Sequence, residues 1–305
     1  MVTVDFSGIL HIMAAILGAP LLPGIINRVK AWFAGRQGPP LLQPYYDIAK
    51  LWQKGAVYSR TTTWVFVAGP IVGLACLGAC LPLMPLGTRP ALISFSGDLF
   101  VVFYLFGLMR FFTILAALDT GSAFEGMGAS REATFAALAE PSLFLGIGVL
   151  AAQTKALSLT GIFQGISWTL WSENGGIPGL VAAALFVVFL TENARIPVDD
   201  PNTHLELTMI HEVMVLDHGG PDLAMIFYSS ALKLWLLGSL IVSLLLPYSG
   251  AWHATLGVQV LGLFFLAVLT GVIESSMARL RLMKVCQFLL GGTVLSLLAF
   301  FLLLR

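Results

Sequence analysis

The sequence predicts an all-α, polytopic membrane protein with about eight spanning helices and an amphipathic helix on the cytoplasmic side. Three observations carry this. Of 305 residues, 58% are hydrophobic and only 10% are charged, against about 25% charged in a soluble domain. Mean hydropathy is +0.90. Apolar runs of about 20 residues, the length a helix needs to cross the hydrocarbon core, recur along the whole sequence. The 16 basic and 16 acidic residues cancel, so the net charge names no partner, and nucleic acid is not expected.

The sequence reads as one integral membrane domain, 1–305. Spans are expected near 7–26, 63–86, 98–118, 133–153, 177–195, 222–247, 255–275 and 285–304. No Lys or Arg precedes the first run, so it reads as a retained span entering with its N-terminus outside, not as a cleaved signal peptide. The loops 27–62, 119–132, 196–221 and 276–284 then lie inside. With Arg195 at the edge of the third, they hold eleven of the sixteen basic residues. The outer side holds Arg89, Lys155 and Arg305. The positive-inside rule therefore orients the protein in the cell inner membrane with both termini on the outer side. In 27–62, Leu41, Leu42, Tyr45, Tyr46, Ile48, Ala49 and Trp52 suggest a helix lying in the interface. No internal repeat is evident.

A charge at the centre of a spanning helix costs about 2.5–3.5 kcal/mol on insertion scales, so such residues usually face protein or a water-filled cavity. Arg131 and Glu132 open the fourth expected span, and Glu140 lies deeper in it. Glu192 and Arg195 are i, i+3 neighbours at the inner end of the fifth, where they could neutralise one another. Ile196 precedes Pro197 and is pushed out of the helical region, which is expected to end that helix. Lys233 sits half-way into the sixth span, with Glu192, Glu140 or Glu274 as its candidate partner. Arg110 pairs with Asp119 or Glu125, or turns toward the outside. Together these charges suggest a polar seam running inward from the cytoplasmic face, or a static network of ion pairs.

The segment FLTENARIPVDDPNTHLELTMIHEVMVLDHG, 189–219, is the most acidic. It carries Glu192, Asp199, Asp200, Glu206, Glu212 and Asp217, three histidines, and Arg195 as its only base. His211-Glu212 does not complete a zinc-protease HExxH, because Val215 stands where the second His is needed. His204, His211 and His218 recur at seven-residue spacing and fit interface or chamber residues better than a metal stripe. Cys76, Cys80 and Cys286 lie in apolar runs without CxxC spacing. No metal and no catalytic residue are expected on this protein.

LQPYYDIAKLW, LDTGSAFEGMGASREA, the E-x-x-R-x-P-x-D core of ENARIPVD, and ESSMARLRL occur in one order that resembles a known family. It is the membrane subunit shared by respiratory complex I, where it is subunit 1, and the membrane-bound [NiFe] hydrogenases. Within that family the sequence is most similar to the hydrogenase-4 component C and formate hydrogenlyase subunit 4 branch. The resemblance covers essentially the whole sequence and implies eight heavily tilted helices forming the foot of a cytoplasmic redox module. Iron–sulfur clusters and a [NiFe] centre are then expected in large and small partner subunits, with antiporter-like membrane subunits alongside and no cofactor on this protein.

Arg36, Asp47, Arg131, Glu140, Glu192, Arg195, Asp199 and Glu206 fall on family motif positions. The candidate ion-relay residues are Arg131, Glu140, Glu192, Arg195, Asp199, Asp200, Glu206, Glu212, Lys233 and Glu274. The candidates for docking the redox module are Arg36, Asp47, Asp119, Arg279 and Arg281. Asn202, His204 and Met214 stand where complex I has glutamates, and Glu212 is displaced by two positions. Asp200, Asp217 and Asp222 keep the loop negative. The departure favours a quinone-independent, hydrogenase-type relative over a complex I-like quinone chamber. The loop also differs from the more glutamate-rich formate hydrogenlyase version. Clustered carboxylates repel, which raises some of their pKa values and lets protons bind near neutral pH.

Overall fold

A computed structural model describes residues 6–199, 209–248 and 250–305. The expected Asp200 and Glu206, with Asn202 and His204, lie outside the described residues. All regular structure described is helical. In order, α1 is Phe6–Gly18, α2 Leu21–Phe33, α3 Gln43–Trp52, α4 Trp64–Cys80, α5 Asp98–Asp119 and α6 Ala123–Thr154. They are followed by α7 Leu159–Gly165, α8 Trp168–Asn174, α9 Gly176–Glu192, α10 Gly220–Leu245, α11 Trp252–Ser276 and α12 Leu282–Leu303.

Six of these helices, α4 with its short 3₁₀ extension, α5, α6, α10, α11 and α12, are each long and apolar enough to cross a membrane. Two bent pairs raise the number to eight. The first, α1 with α2, bends by 44° at a short break, and α8 meets α9 at 102°. The molecule is thus a multi-pass membrane protein, as the apolar runs predict.

Three expected boundaries move. The first span is two helices, so Arg28 and Lys30 are helical rather than loop residues. The fourth begins earlier than expected, at Ala123, and most of the expected loop 119–132 is helix. The fifth ends at Glu192, not at Pro197. There the backbone turns through Ala194, whose φ is +49°. The amide of Ala194 donates to the Thr191 carbonyl and that of Arg195 to the Leu190 carbonyl at 2.8 Å. This is a Schellman turn, with alanine in the left-handed position at a cost of about 1–2 kcal/mol.

The spans enclose a continuous apolar core. Helix α10 packs against α3, α4, α9 and α11, while α12 lies across α6 and α9. The expected interfacial helix is α3, which buries none of its residues fully. Between α9 and α10 the segment 209–215 lies against α6. A Cβ on Gly128 would collide with Val213 Cγ1 and stand 2.9 Å from the Ile210 carbonyl oxygen. Only glycine allows that approach, and it sets Glu132, one turn further along α6, beside His211.

Candidate functional site

Five charged side chains from four spanning helices meet in the interior. Arg110, half-way along α5, donates from Nη1 to Glu140 Oε1 at 2.6 Å and from Nη2 to Glu192 Oε1. Its Nε lies 3.8 Å from Glu132 Oε1. On the other side of Glu192, Oε2 is 3.5 Å from Lys233 Nζ. Glu192 therefore bridges an arginine and a lysine. Two cations face three carboxylates, so the fully ionised cluster carries one excess negative charge. Lys233 is 3% exposed and Glu192 8%, whereas 46% of the Glu140 side chain is exposed. Glu140 is the cluster's outlet on the side of the bundle.

A second cluster joins α2, α11 and the turn after α9. Glu274 is paired with Lys30 at 2.9 Å and with Arg195 at 3.4 Å. A third contact fixes the acidic loop. Asp199 Oδ1 pairs with Arg279 at 2.9 Å, while Oδ2 accepts from the amides of Ile210 and His211 at 3.3 and 3.1 Å. Arg131 donates to the Met209 carbonyl at 2.8 Å. The re-entering segment is thus held from both sides, with His211 Nδ1 4.0 Å from Glu132 Oε2.

Three cavities lie along these groups. The largest, about 240 Å³, is bounded by α2, α3, α10, the 193–195 turn and the 211–215 segment, with Asp47, Arg195, His211 and Glu212 in its lining. A second of about 40 Å³ holds His211, His218 and Lys233. A third of about 160 Å³ holds Arg110, Glu140 and Glu192. One water needs roughly 10–15 Å³ and two to four polar partners, so each cavity has room for water. Burial pulls the His218 imidazole down to about 4, and its ring stacks on Phe66 with centroids 3.9 Å apart. His211 is also drawn down to about 4, by burial first and then by Lys233. Both are neutral at pH 7.

The sequence-based pairings need two corrections. Arg195 does not pair with Glu192, because the Schellman turn carries it across to Glu274. Arg110 takes neither Asp119 nor Glu125 and does not turn outward; it holds Glu192 and Glu140. Of the three candidates, Lys233 takes Glu192. Among the docking candidates, Arg36 and Arg281 are exposed. Asp47 accepts from Gln43 at 2.8 Å and borders the large cavity. Asp119 accepts from the amide and hydroxyl of Thr63 at 2.6 and 2.9 Å, which ties the start of α4 to the end of α5. Arg279 is spent on Asp199.

Arg110, Glu132, Lys30 and His211 are absent from the sequence-based relay set. Arg110 carried a signal, being a base within an apolar span. Lys30 reads as an ordinary inner-side lysine. Among the described residues no group of three or more His, Cys, Asp or Glu could hold a metal.

Fold and site together define a multi-pass membrane protein built around a buried row of paired charges. A family model described as NADH dehydrogenase matches residues 7–304, and the protein belongs to that family. It is 32% identical to formate hydrogenlyase subunit 4 of Escherichia coli K12 over 87% of each sequence. With hydrogenase-4 component C of the same organism it shares 31% identity over 87% of its own length and 85% of the relative's. A membrane subunit of the NADH-quinone oxidoreductase of Anaplasma marginale is 24% identical over 84% of this protein and 77% of the relative. The fold also matches a protein in the structure of the membrane-bound sulfane sulfur reductase, an archaeal respiratory membrane complex. The TM-score is 0.81 at 21% identity, covering 96% of this protein and 97% of that one. The resemblance read from the motifs is borne out, as is the all-helical, multi-pass fold.

Proposed function

We propose that this protein is the membrane-anchor and coupling subunit of a complex I-related membrane complex of formate hydrogenlyase type. It docks a cytoplasmic redox module and relays redox energy to proton or sodium movement through its buried charges. The partners are [NiFe]-hydrogenase-like large and small subunits, which carry the iron–sulfur and [NiFe] centres, and antiporter-like membrane subunits. Both termini lie on the outer side of the cell inner membrane.

The observation that carries this reading is the bridge Arg110–Glu192–Lys233, with its surplus carboxylate and its exposed end at Glu140. Buried ions are expensive, and replacing a buried pair by apolar residues is often neutral or stabilising. A merely structural core would therefore gain little from five of them. A cluster one proton short of neutral can instead take up or release that proton as the potential beside it changes. The inner cavity opens toward the side on which the acidic loop lies, and Glu140 faces the side where a neighbouring membrane subunit would pack. Arg195 and Glu274 act as a brace rather than as relay groups.

The test uses the assembled complex in sealed vesicles. Glu192→Gln and Glu140→Gln are each expected to abolish electron-driven ion movement while the complex still assembles. Full ion movement in both variants would refute the relay.

A further inference from the structure

The two inner cavities are neighbours with a common wall. His211, Val215, Ile226 and Ser230 line both of them. Of these four, His211 alone can exchange a proton near neutral pH. The first cavity also carries Asp47, Arg195 and Glu212; the second reaches Lys233. Crossing from one to the other means passing the imidazole.

Several contacts fix the surroundings of His211. Its backbone amide is held by Asp199, itself locked by Arg279. Gly128 admits the segment against α6, where a Cβ would collide with Val213. Nδ1 is then directed at Glu132, 4.0 Å away, one small side-chain rotation or one water from a hydrogen bond. Glu132 lies against Arg110. The charged groups facing the ring are Glu132 on α6, Lys233 on α10, Arg110 on α5, Glu192 on α9, and Asp199 from the loop.

We infer that His211 is the proton gate of this protein, passing protons between water in the inner cavity and the Arg110–Glu192–Lys233 cluster by way of Glu132. The inference rests on the coupling reading above and specifies its ion as H⁺. In one passage a proton binds at Nε2 from cavity water, and the Nδ1 proton leaves to the Glu132 carboxylate. The ring ends neutral, as the other tautomer, and a ring flip resets it. Burial keeps the resting imidazole neutral at pH 7, with one nitrogen free to accept. The adjoining Lys233 and Arg110 make a lasting imidazolium unfavourable, so the ring hands its proton on.

The experiment uses the assembled complex in sealed vesicles, with membrane potential read by a lipophilic dye and divided by the electrons transferred. His211→Ala and His211→Gln are expected to lower charge moved per electron to about a tenth or less. Added imidazole, which can enter the cavity left in His211→Ala, is expected to restore at least several-fold of the loss in that variant only. Charge movement at the wild-type ratio in either variant overturns the gate. Loss in both without imidazole rescue also overturns it, because it marks a structural role. Glu192→Gln run in parallel separates the two levels. If it too moves charge normally, the coupling reading itself fails. If it is blocked while the His211 variants are not, only the gate fails.

Discussion

The two buried ion clusters are built from the same residue types and differ in balance. Around Arg110, two cations face three carboxylates across four helices. Around Glu274, one carboxylate faces two cations, and 21% of the Lys30 side chain is exposed, so water shares the surplus. The first cluster lies on two cavities and ends in the half-exposed Glu140. The second stitches α2 to α11 and to the turn after α9. The difference separates a group of charges that can change its protonation from one that holds helices in place.

The sharpest way to break this comparison is Arg110→Gln. It leaves three buried carboxylates with only Lys233, and removing one member of a buried ion network costs about 3–5 kcal/mol. A steep drop in thermal midpoint in detergent is expected, partly recovered in Arg110→Gln/Glu192→Gln because the second change removes an orphaned charge. Glu274→Gln in the brace is expected to cost about 1.5–3 kcal/mol, the range for hydrogen bonds to charged groups. Charge moved per electron should hold in that variant, and a coupling loss there as deep as that of Glu192→Gln would erase the distinction.

Gly128→Ala tests the approach that places His211. Overpacking of this kind costs about 1–3 kcal/mol. It should also weaken coupling, since the 209–215 segment must move off α6. A smaller effect is expected from pH. The His211 and His218 rings have folded pKa values near 4, against about 6.5 in an unfolded chain. The unfolded state therefore binds more protons between these values. Stability is full above pH 6.5 and falls as pH drops toward 4, and His218→Gln should flatten that slope in a thermal-unfolding series. The least effect is expected for the exposed Arg281→Ala, within about 0.5 kcal/mol, which serves as the reference for docking measured separately.

Much was legible in the residue order. Apolar length marked the crossing helices, because a bilayer leaves a spanning backbone no other way to satisfy its polar groups except a closed barrel. The aromatic and leucine pattern of 41–52 marked α3. Motif order marked the family. The charged residues also declared themselves, since Glu140, Glu192 and Lys233 are conspicuous in apolar surroundings whatever their partners.

Only the tertiary structure decided which charge meets which. Arg195 stands three residues from Glu192 and pairs with Glu274 instead, because one left-handed residue at Ala194 reverses the backbone. Arg110 stands 82 positions from Glu192 in sequence and touches it, because α5 and α9 both border α6. Ion pairing depends on distance and desolvation in space, and sequence separation carries almost no information about either once helices pack. The identity of the buried charges was written in the sequence; their balance, their cavities and the imidazole between them came from the packing of the helices.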